Sequence, residues 1–455
     1  MFDLLLAFSL LLVSALIFIR KRSSVIFLLF FFQSFWGLKV FGFTLNEISL
    51  ILTALYLLFA TKYLQVPKII YVVLVAYLLV LTMPLLWGHQ YVLTLPTYEY
   101  AMAQQPIIRS FLVLTERVLT ALMCLVPFAV SHHFKSSVFK LAATGFVAGI
   151  TFQSCLGLYQ VMAHLTNMPV WDYAMGEEQY IAGFIRLNAF AGEPRHFAVF
   201  TSISLAYLLC RKVLAASPLF SRRTDLLLMA LQSVALLFTF STTAIILVSL
   251  MLLLVIGGTL RNLFYKNQLI TLLFLSSIAY FSSGMGNNEI IQSRIVERAA
   301  LNYISTSEFS SYAALELWAT QPELALIGVG PGLPAYFLKE MPSYTNSYRR
   351  NTNLRQEVLR DPNGLILIVL ETGVLGVVVL LLLLVLILRL RLRESSRNPE
   401  FRSNKYFCVF VLITGIISQG PLLPVFSAGL GCLLADSRAR RKLEVYVKDN
   451  NKLRL

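Results

Sequence analysis

Residues able to do chemistry gather at a few places in this 455-residue chain. The first is 184-FIRLNAFAGEPRHFA-198, where Arg186, Glu193, Arg195 and His196 lie within eleven residues. Gly192 and Pro194 predict a turn and then a helix start. A helix beginning near Pro194 aims its unbonded N–H groups outward, which is a ready site for an anion. The second place is the arginine-rich stretch holding Arg294, Arg298, Arg349, Arg350, Arg355 and Arg360. A guanidinium is a planar fork that stays charged and bonds phosphate oxygens in pairs. The same stretch carries eight carboxylates between Glu289 and Asp361, so a solvated, salt-bridged surface is an equal reading of any one arginine.

The third place is 322-PELALIGVGPGLPAYF-337, followed by 361-DPNGLILIVLETGVLG-376. Gly328, Gly330 and Gly332 make a glycine-rich turn. It is not a dinucleotide fingerprint, for no βαβ unit surrounds it, and it lacks the Lys-Ser/Thr of a P-loop. Glycine permits close backbone approach, either to a substrate or to neighbouring helices. A fourth feature is Glu116-Arg117 inside the apolar run 111-FLVLTERVLTALMCLVPF-128. Ionisable groups at membrane depth are expensive and face protein or a watery cavity. Arg117 therefore reads as one half of an ion pair to another span, or as cavity lining. Ser241, Thr242 and Thr243 break another apolar run and read as backbone-bonding residues.

The elements that must position these groups follow from composition. The chain is 57% hydrophobic and only 13% charged, against roughly 25% charged in ordinary soluble proteins. Its mean hydropathy is +0.73. The apolar residues come in blocks such as 377-VVVLLLLLVLIL-388, each approaching the roughly 20 residues that cross a bilayer as helix. This excludes a disordered chain, a disulfide scaffold and an ordinary soluble enzyme. The predicted fold is an all-α polytopic membrane protein with about 12–13 transmembrane helices and a large, partly helical outer loop. The spans fall near 2–19, 24–38, 45–60, 69–87, 107–130, 138–163, 195–210, 225–240, 243–260, 267–283, 363–388 and 406–435. The last is broken by Pro421 and Pro424 and reads as a helical hairpin. The first lacks a basic leader and is followed by Arg20, Lys21 and Arg22, so it reads as a span, not a cleaved signal.

Basic residues orient the chain. Placing 20–22 in the cytoplasm and alternating puts 26 of the 38 Lys and Arg on that side. The paired and clustered motifs at 211–212, 222–223, 389–393 and 438–442 all fall there. The N-terminus is then outside and the C-terminus inside. The chain divides into 1–283 (transmembrane helices with short loops), 284–362 (the large outer loop), 363–435 (C-terminal transmembrane helices) and 436–455 (a basic cytoplasmic tail). Within the loop, 311-SYAALELWAT-320 has helical apolar spacing. The net charge of +15 is accounted for by orientation and by anionic lipid or substrate, and no nucleic-acid motif accompanies it. The five cysteines sit in or beside apolar blocks without metal-ligand spacing and read as small buried side chains.

Taken in order, the motifs resemble the bacterial O-antigen ligase and polymerase family. The matching pieces run from Arg186 to Ala198, then 318-WATQPELALIGVGPG-332, then Asn363 opening a span that holds Glu371 to Gly376. Together with the size and late position of the outer loop, they cover about a quarter of the chain. The resemblance implies a GT-C-like glycosyltransferase of the bacterial inner membrane, working on its periplasmic face without metal or other cofactor. Its donor would be an undecaprenyl-diphosphate-linked oligosaccharide, and membrane lipids and a chain-length regulator would be its other partners. Arg186 would act on the reacting pyrophosphate. Arg195, His196, Arg294, Arg298, Arg349, Arg350, Arg355, Arg360, Gly328, Gly330 and Asn363 would bind substrate.

Two departures bear on which reaction. Ligases of the family carry a His just before the Asn that opens the late span, whereas this chain reads Asp361-Pro362-Asn363 and has no His between 284 and 362. The second loop arginine, usually close before the Trp, is absent, so Arg294 or Arg298 would stand in. The missing His and the Glu193-Pro194 pair favour a polymerase over a ligase. A general base would then be Glu193 or Asp361, with His196 behind them, since a carboxylate can accept a hydroxyl proton from a well-placed acceptor. Two other classes remain open: a transporter of lipid-linked glycans, which would ordinarily show an internal repeat, and a non-catalytic scaffold that uses the loop to bind partners.

Overall fold

The computed structural model describes residues 24–40, 43–60, 64–94, 105–131, 137–166, 168, 180–181, 184–192, 194–239, 241, 247–251, 253–254, 306–342, 364–389, 398–417 and 424–436. Among these the chain is predominantly helical. The helices used below are α1 (Ser24–Phe31), α2 (Leu45–Ala60), α3 (Lys68–Thr94), α4 (Pro106–Leu122) and α5 (Val126–Ser131), then α6 (Val138–Leu165), α7 (Pro194–Val213) and α8 (Arg222–Phe238). They continue with α9 (Thr306–Thr320), α10 (Pro322–Ile327), α11 (Pro334–Lys339), α12 (Gly364–Arg389) and α13 (Pro399–Ile417), and end with α14 (Pro424–Asp436). Strand structure among the described residues is limited to two antiparallel hairpins, Lys39–Val40 with Phe43–Thr44 and Tyr180–Ile181 with Phe184–Ile185. The apolar run 406–435 is divided between α13 and α14. Among the described residues, two helices are long and apolar enough to cross a membrane: Pro106–Ser131, in which α4 runs into α5, and α6.

Close packing of α1 on α6 has a sequence cause. Gly145 and Gly149 lie one turn apart on α6, and a Cβ built on either would fall 2.3 Å from a carbonyl oxygen of α1, Phe27 O or Phe31 O. Small residues four apart let two backbones approach this closely and gain dispersion contacts along their length. One further turn along the same face, Gln153 donates through Nε2 to Ser34 Oγ at 2.7 Å, both side chains being buried. The interior between α6, α7 and α13 is aromatic, with Phe139, Phe146 and Tyr207 each ringed against Phe407. Outward faces are apolar too: Phe59 is 81% exposed, Leu227 70% and Leu382 62%.

Polar contacts concentrate at the two ends of these helices. At one end the Asp436 carboxylate caps α6, accepting from Ser137 Oγ, Val138 N and Phe139 N. A carboxylate there satisfies unbonded N–H groups and complements the positive end of the helix dipole. Also at the C-terminal end of its helix, Arg211 of α7 is buried. It donates to Tyr207 Oη at 3.0 Å, to Ser403 Oγ and Asn404 Oδ1 of α13, and to the Ser217 carbonyl, while Ser217 Oγ reaches Glu400. At the other end Gln160 of α6, about 33 Å along the axis from Val138, accepts from Ala189 N at 3.0 Å. The residues 184–198 belong to this second end.

Candidate functional site

The segment 184–192 is held by backbone hydrogen bonds and by the buried side chains of Leu187, Phe190 and Ala191. After the 180–185 hairpin, Leu187 N donates to Phe238 O at 3.0 Å and Arg186 Nε donates to Thr239 O at 3.0 Å, tying the segment to the C-terminal end of α8. Ala189 takes a left-handed φ of 46°, and Gln160 holds its N–H there. A non-glycine residue in that region costs roughly 1–2 kcal/mol, so its surroundings must over-determine it. Phe190 O accepts from Gly37 N at 2.6 Å, Gly192 turns the chain with φ 78°, and Pro194 opens α7. That is the helix start the sequence predicts. It leaves half-buried Arg195 and His196 in the first turn, with the His196 ring 5.9 Å from that of Trp36. Arg186, Arg195 and His196 are thus carried on one short segment at one end of the helices.

The glycine turn lies in a second cluster built around a break in α12. Gly373 has φ 67° and ψ −173° inside that helix, which frees the carbonyls before it. Leu370 O then accepts from Val329 N at 2.6 Å and Glu371 O from Gly330 N at 3.1 Å. The contact is backbone on backbone: a Cβ at Gly373 would fall 2.0 Å from Leu326 O, and one at Gly328 would fall 2.6 Å from Gly373 N. Any side chain at either position would drive the two segments apart. Glu371 completes the joint. Its Oε1 accepts from Gly332 N at 3.2 Å and its Oε2 lies 3.4 Å from Nη2 of Arg117 on α4. Both charged side chains are buried, at 7% and 15% exposure. Arg109 of α4 stacks over the Tyr336 ring at 5.8 Å, and Tyr77 of α3 is within electrostatic reach of Arg117 and Glu371.

Of the two roles open to Gly328 and Gly330, close approach to a helix is the one these contacts display. Gly328 N donates to Leu324 O and Gly330 N to Glu371 O, so both N–H groups are used within the protein. The glycines allow close approach to a helix, and the N–H groups of Gly328 and Gly330 are turned to acceptors of the protein itself. Arg117 is the ion-pair half that its place in an apolar run suggests. Glu371 is the residue of this joint to which sequence reasoning gave no role. Its signal was there, as the carboxylate of Glu-x-Gly-x-x-Gly at 371–376, but its partners lie on α4 and in the turn, far away in the chain.

Glu193, Asp361, Arg294, Arg298, Arg349, Arg350, Arg355, Arg360 and Asn363 lie outside the described residues. Among the described residues no group of three or more His, Cys, Asp or Glu side chains is placed to hold a metal ion. Compared with protein-family models, curated proteins and solved structures, the chain matches none.

Proposed function

We propose that this chain is a polytopic inner-membrane glycosyltransferase that polymerises undecaprenyl-diphosphate-linked oligosaccharide repeat units on the periplasmic face. The membrane part is supported by the runs of large apolar side chains left exposed along single helices, such as Leu52, Leu55, Leu58 and Phe59 on α2 and Val374, Val378, Leu381 and Leu382 on α12. It is also supported by the agreement of contacts with charge. Segments that the distribution of Lys and Arg assigns to the cytoplasm bond to each other, as Ser137 does with Asp436 and Arg211 with Asn404. Segments assigned to the outside do the same, as Gly37 does with Phe190 and Arg186 with Thr239.

The observation that carries the chemistry is the fixing of Arg186, Arg195 and His196 on one braced segment, at the start of α7 and at the outer end of the helices. In the proposed reaction an acceptor hydroxyl attacks the anomeric carbon of the donor. The new glycosidic C–O bond forms as the bond from that carbon to the pyrophosphate oxygen breaks. The hydroxyl proton goes to a carboxylate, Glu193 or Asp361, and undecaprenyl diphosphate leaves. The leaving group gains negative charge as the bond breaks, and guanidinium groups fixed in a region of low dielectric stabilise that charge without reorganising. Arg186 and Arg195 fill this role, joined by arginines of the stretch 294–360. The interlock of 322–332 with 371–376 brings together two of the three segments that resemble the O-antigen ligase and polymerase family.

The test is Arg186→Ala and Arg298→Ala in the native host, with expression matched to wild type. Long-chain glycan should disappear while lipid-linked single repeats accumulate, and unchanged chain length in both variants overturns the reading. Lipopolysaccharide from a deletion strain separates polymerase from ligase: one repeat on the core marks a lost polymerase, bare core a lost ligase.

A further inference from the structure

The outer segment 306–342 has an apolar surface that its own core does not use. On α9 the buried side is Ala313, Ala314 and Leu317, packed with Leu333 and Tyr336. On the other side Tyr312 and Leu315 are 60% and 57% exposed, and Leu326 of α10 is 55% exposed. One such residue is ordinary on a water-facing surface; here three fall on two helices packed against each other. The attachment of the segment gives the reason they are apolar. Leu326 O sits against Gly373, nine residues and so about 13 Å along α12 from Gly364. Gly332 sits against Arg109 O and Val113, which lie about 5–10 Å into α4. Next to Gly373, the exposed residues Val374, Val378 and Leu382 form the lipid-facing side of α12 on the reading above. Through Leu326 O the segment is thus joined to α12 one residue from Val374, at the start of that exposed apolar side.

We propose that α9 and α10 are seated in the outer leaflet of the membrane, with Tyr312, Leu315 and Leu326 against lipid acyl chains. Half of a hydrocarbon core is about 15 Å deep, so an attachment about 13 Å along a spanning helix carries these short helices below the headgroups. Their backbone can lie there because it is helical or bonded to α12, and the carboxylates of half-buried Glu316 and exposed Glu323 must then reach the headgroup layer. On this arrangement the glycine turn and the Arg117–Glu371 pair are within the bilayer. A lipid-linked substrate then reaches the protein by sliding along the leaflet, without leaving it for water.

This inference rests on the membrane reading, and one experiment separates the two. Single cysteines at Tyr312, Leu315 and Leu326 are introduced into the full chain with Cys155→Ser, the remaining four native cysteines being buried. Each is spin-labelled in phospholipid nanodiscs, and collision with oxygen is compared with collision with a water-soluble nickel complex. Leu382→Cys is the lipid control and Arg223→Cys the water control. The expected result is an oxygen-to-nickel ratio at 312, 315 and 326 matching that at 382 and about tenfold or more above that at 223, because a polar complex is excluded from hydrocarbon. A ratio like that at 223, with 382 still lipid-like, overturns the seating and leaves the membrane reading intact. A water-like ratio at 382 overturns both. Exclusion of both reagents with spin–spin broadening between copies also overturns it, since a second chain would then cover the surface.

Discussion

Replacing Glu371 by glutamine isolates the charge of the buried joint. The amide oxygen still accepts from Gly332 N, which now lies 3.2 Å from Oε1. What is lost is the negative charge 3.4 Å from the Arg117 guanidinium, between side chains that are 7% and 15% exposed. Removing one partner of a buried pair leaves a desolvated charge uncompensated and costs roughly 3–5 kcal/mol. A surface pair would cost about 1 kcal/mol or less, so the burial decides the prediction. Glu371→Ala should cost more than Glu371→Gln, by roughly 1–3 kcal/mol for the unbonded Gly332 N–H. Adding Arg117→Met to Glu371→Gln should recover most of the loss, because a matched pair of uncharged side chains leaves no buried charge.

The assay is a double-mutant cycle on thermal or denaturant unfolding of the full chain in nanodiscs. A spin-label distance between Leu315→Cys on α9 and Leu375→Cys on α12 reports whether the joint itself has opened. The expected pattern is a large loss in Glu371→Gln and in Arg117→Met, a small one in the double variant, and a lengthened distance in the single variants. A Glu371→Gln variant within about 0.5 kcal/mol of wild type refutes the reasoning. So does a double variant whose cost is the sum of the two, since independent sites add and coupled ones do not.

Two further outcomes follow from the packing. Gly149→Ala places a methyl 2.3 Å from Phe31 O, a backbone atom that cannot rotate away; α1 must separate from α6, and the overpacking cost of roughly 1–3 kcal/mol exceeds the roughly 1 kcal/mol gained in helix propensity. Thermal unfolding should show a net loss, and a more stable variant refutes the close approach. Asp436→Ala should lower stability by about 1–2 kcal/mol through the lost cap of α6, whereas Asp436→Asn should cost less because its carbonyl can still accept; equal losses in the two would count against the cap.

What the sequence made legible depended on how local the cause was. The helix start at Pro194, the helix over 311–320 and the division of 406–435 all follow from residues within a turn or two of each other, and each is found. Arg117 could be recognised as needing a partner from its apolar neighbours alone. Its partner could not, for Glu371 is just as isolated in its own apolar run, and nothing local joins the two. The Gly145-x-x-x-Gly149 pair was readable as a helix-packing motif but stood inside an apolar block where periodicity says little. For Gly328 and Gly330 close approach was readable, but not what they approach. That depends on Gly373 breaking a distant helix so that two of its carbonyls become acceptors.

That dependence explains why a costly ion pair stands at this joint. Backbone bonds from Val329 and Gly330 to α12 are in principle indifferent to side chains, and a turn shifted by one residue could make others like them. Apolar contacts discriminate register poorly in a lipid setting, where separated helices are also surrounded by apolar groups. A single buried carboxylate that must meet both Arg117 and Gly332 N permits one register only. Any slip breaks the 3.4 Å contact between guanidinium and carboxylate in a region of low dielectric. Buried polar pairs that fix register at some cost in stability are well attested in packed helices. On this argument Arg117 and Glu371 together set the register of 306–342 on α4 and α12. Their double replacement by uncharged residues should therefore recover stability and yet leave more than one Leu315–Leu375 distance in the population.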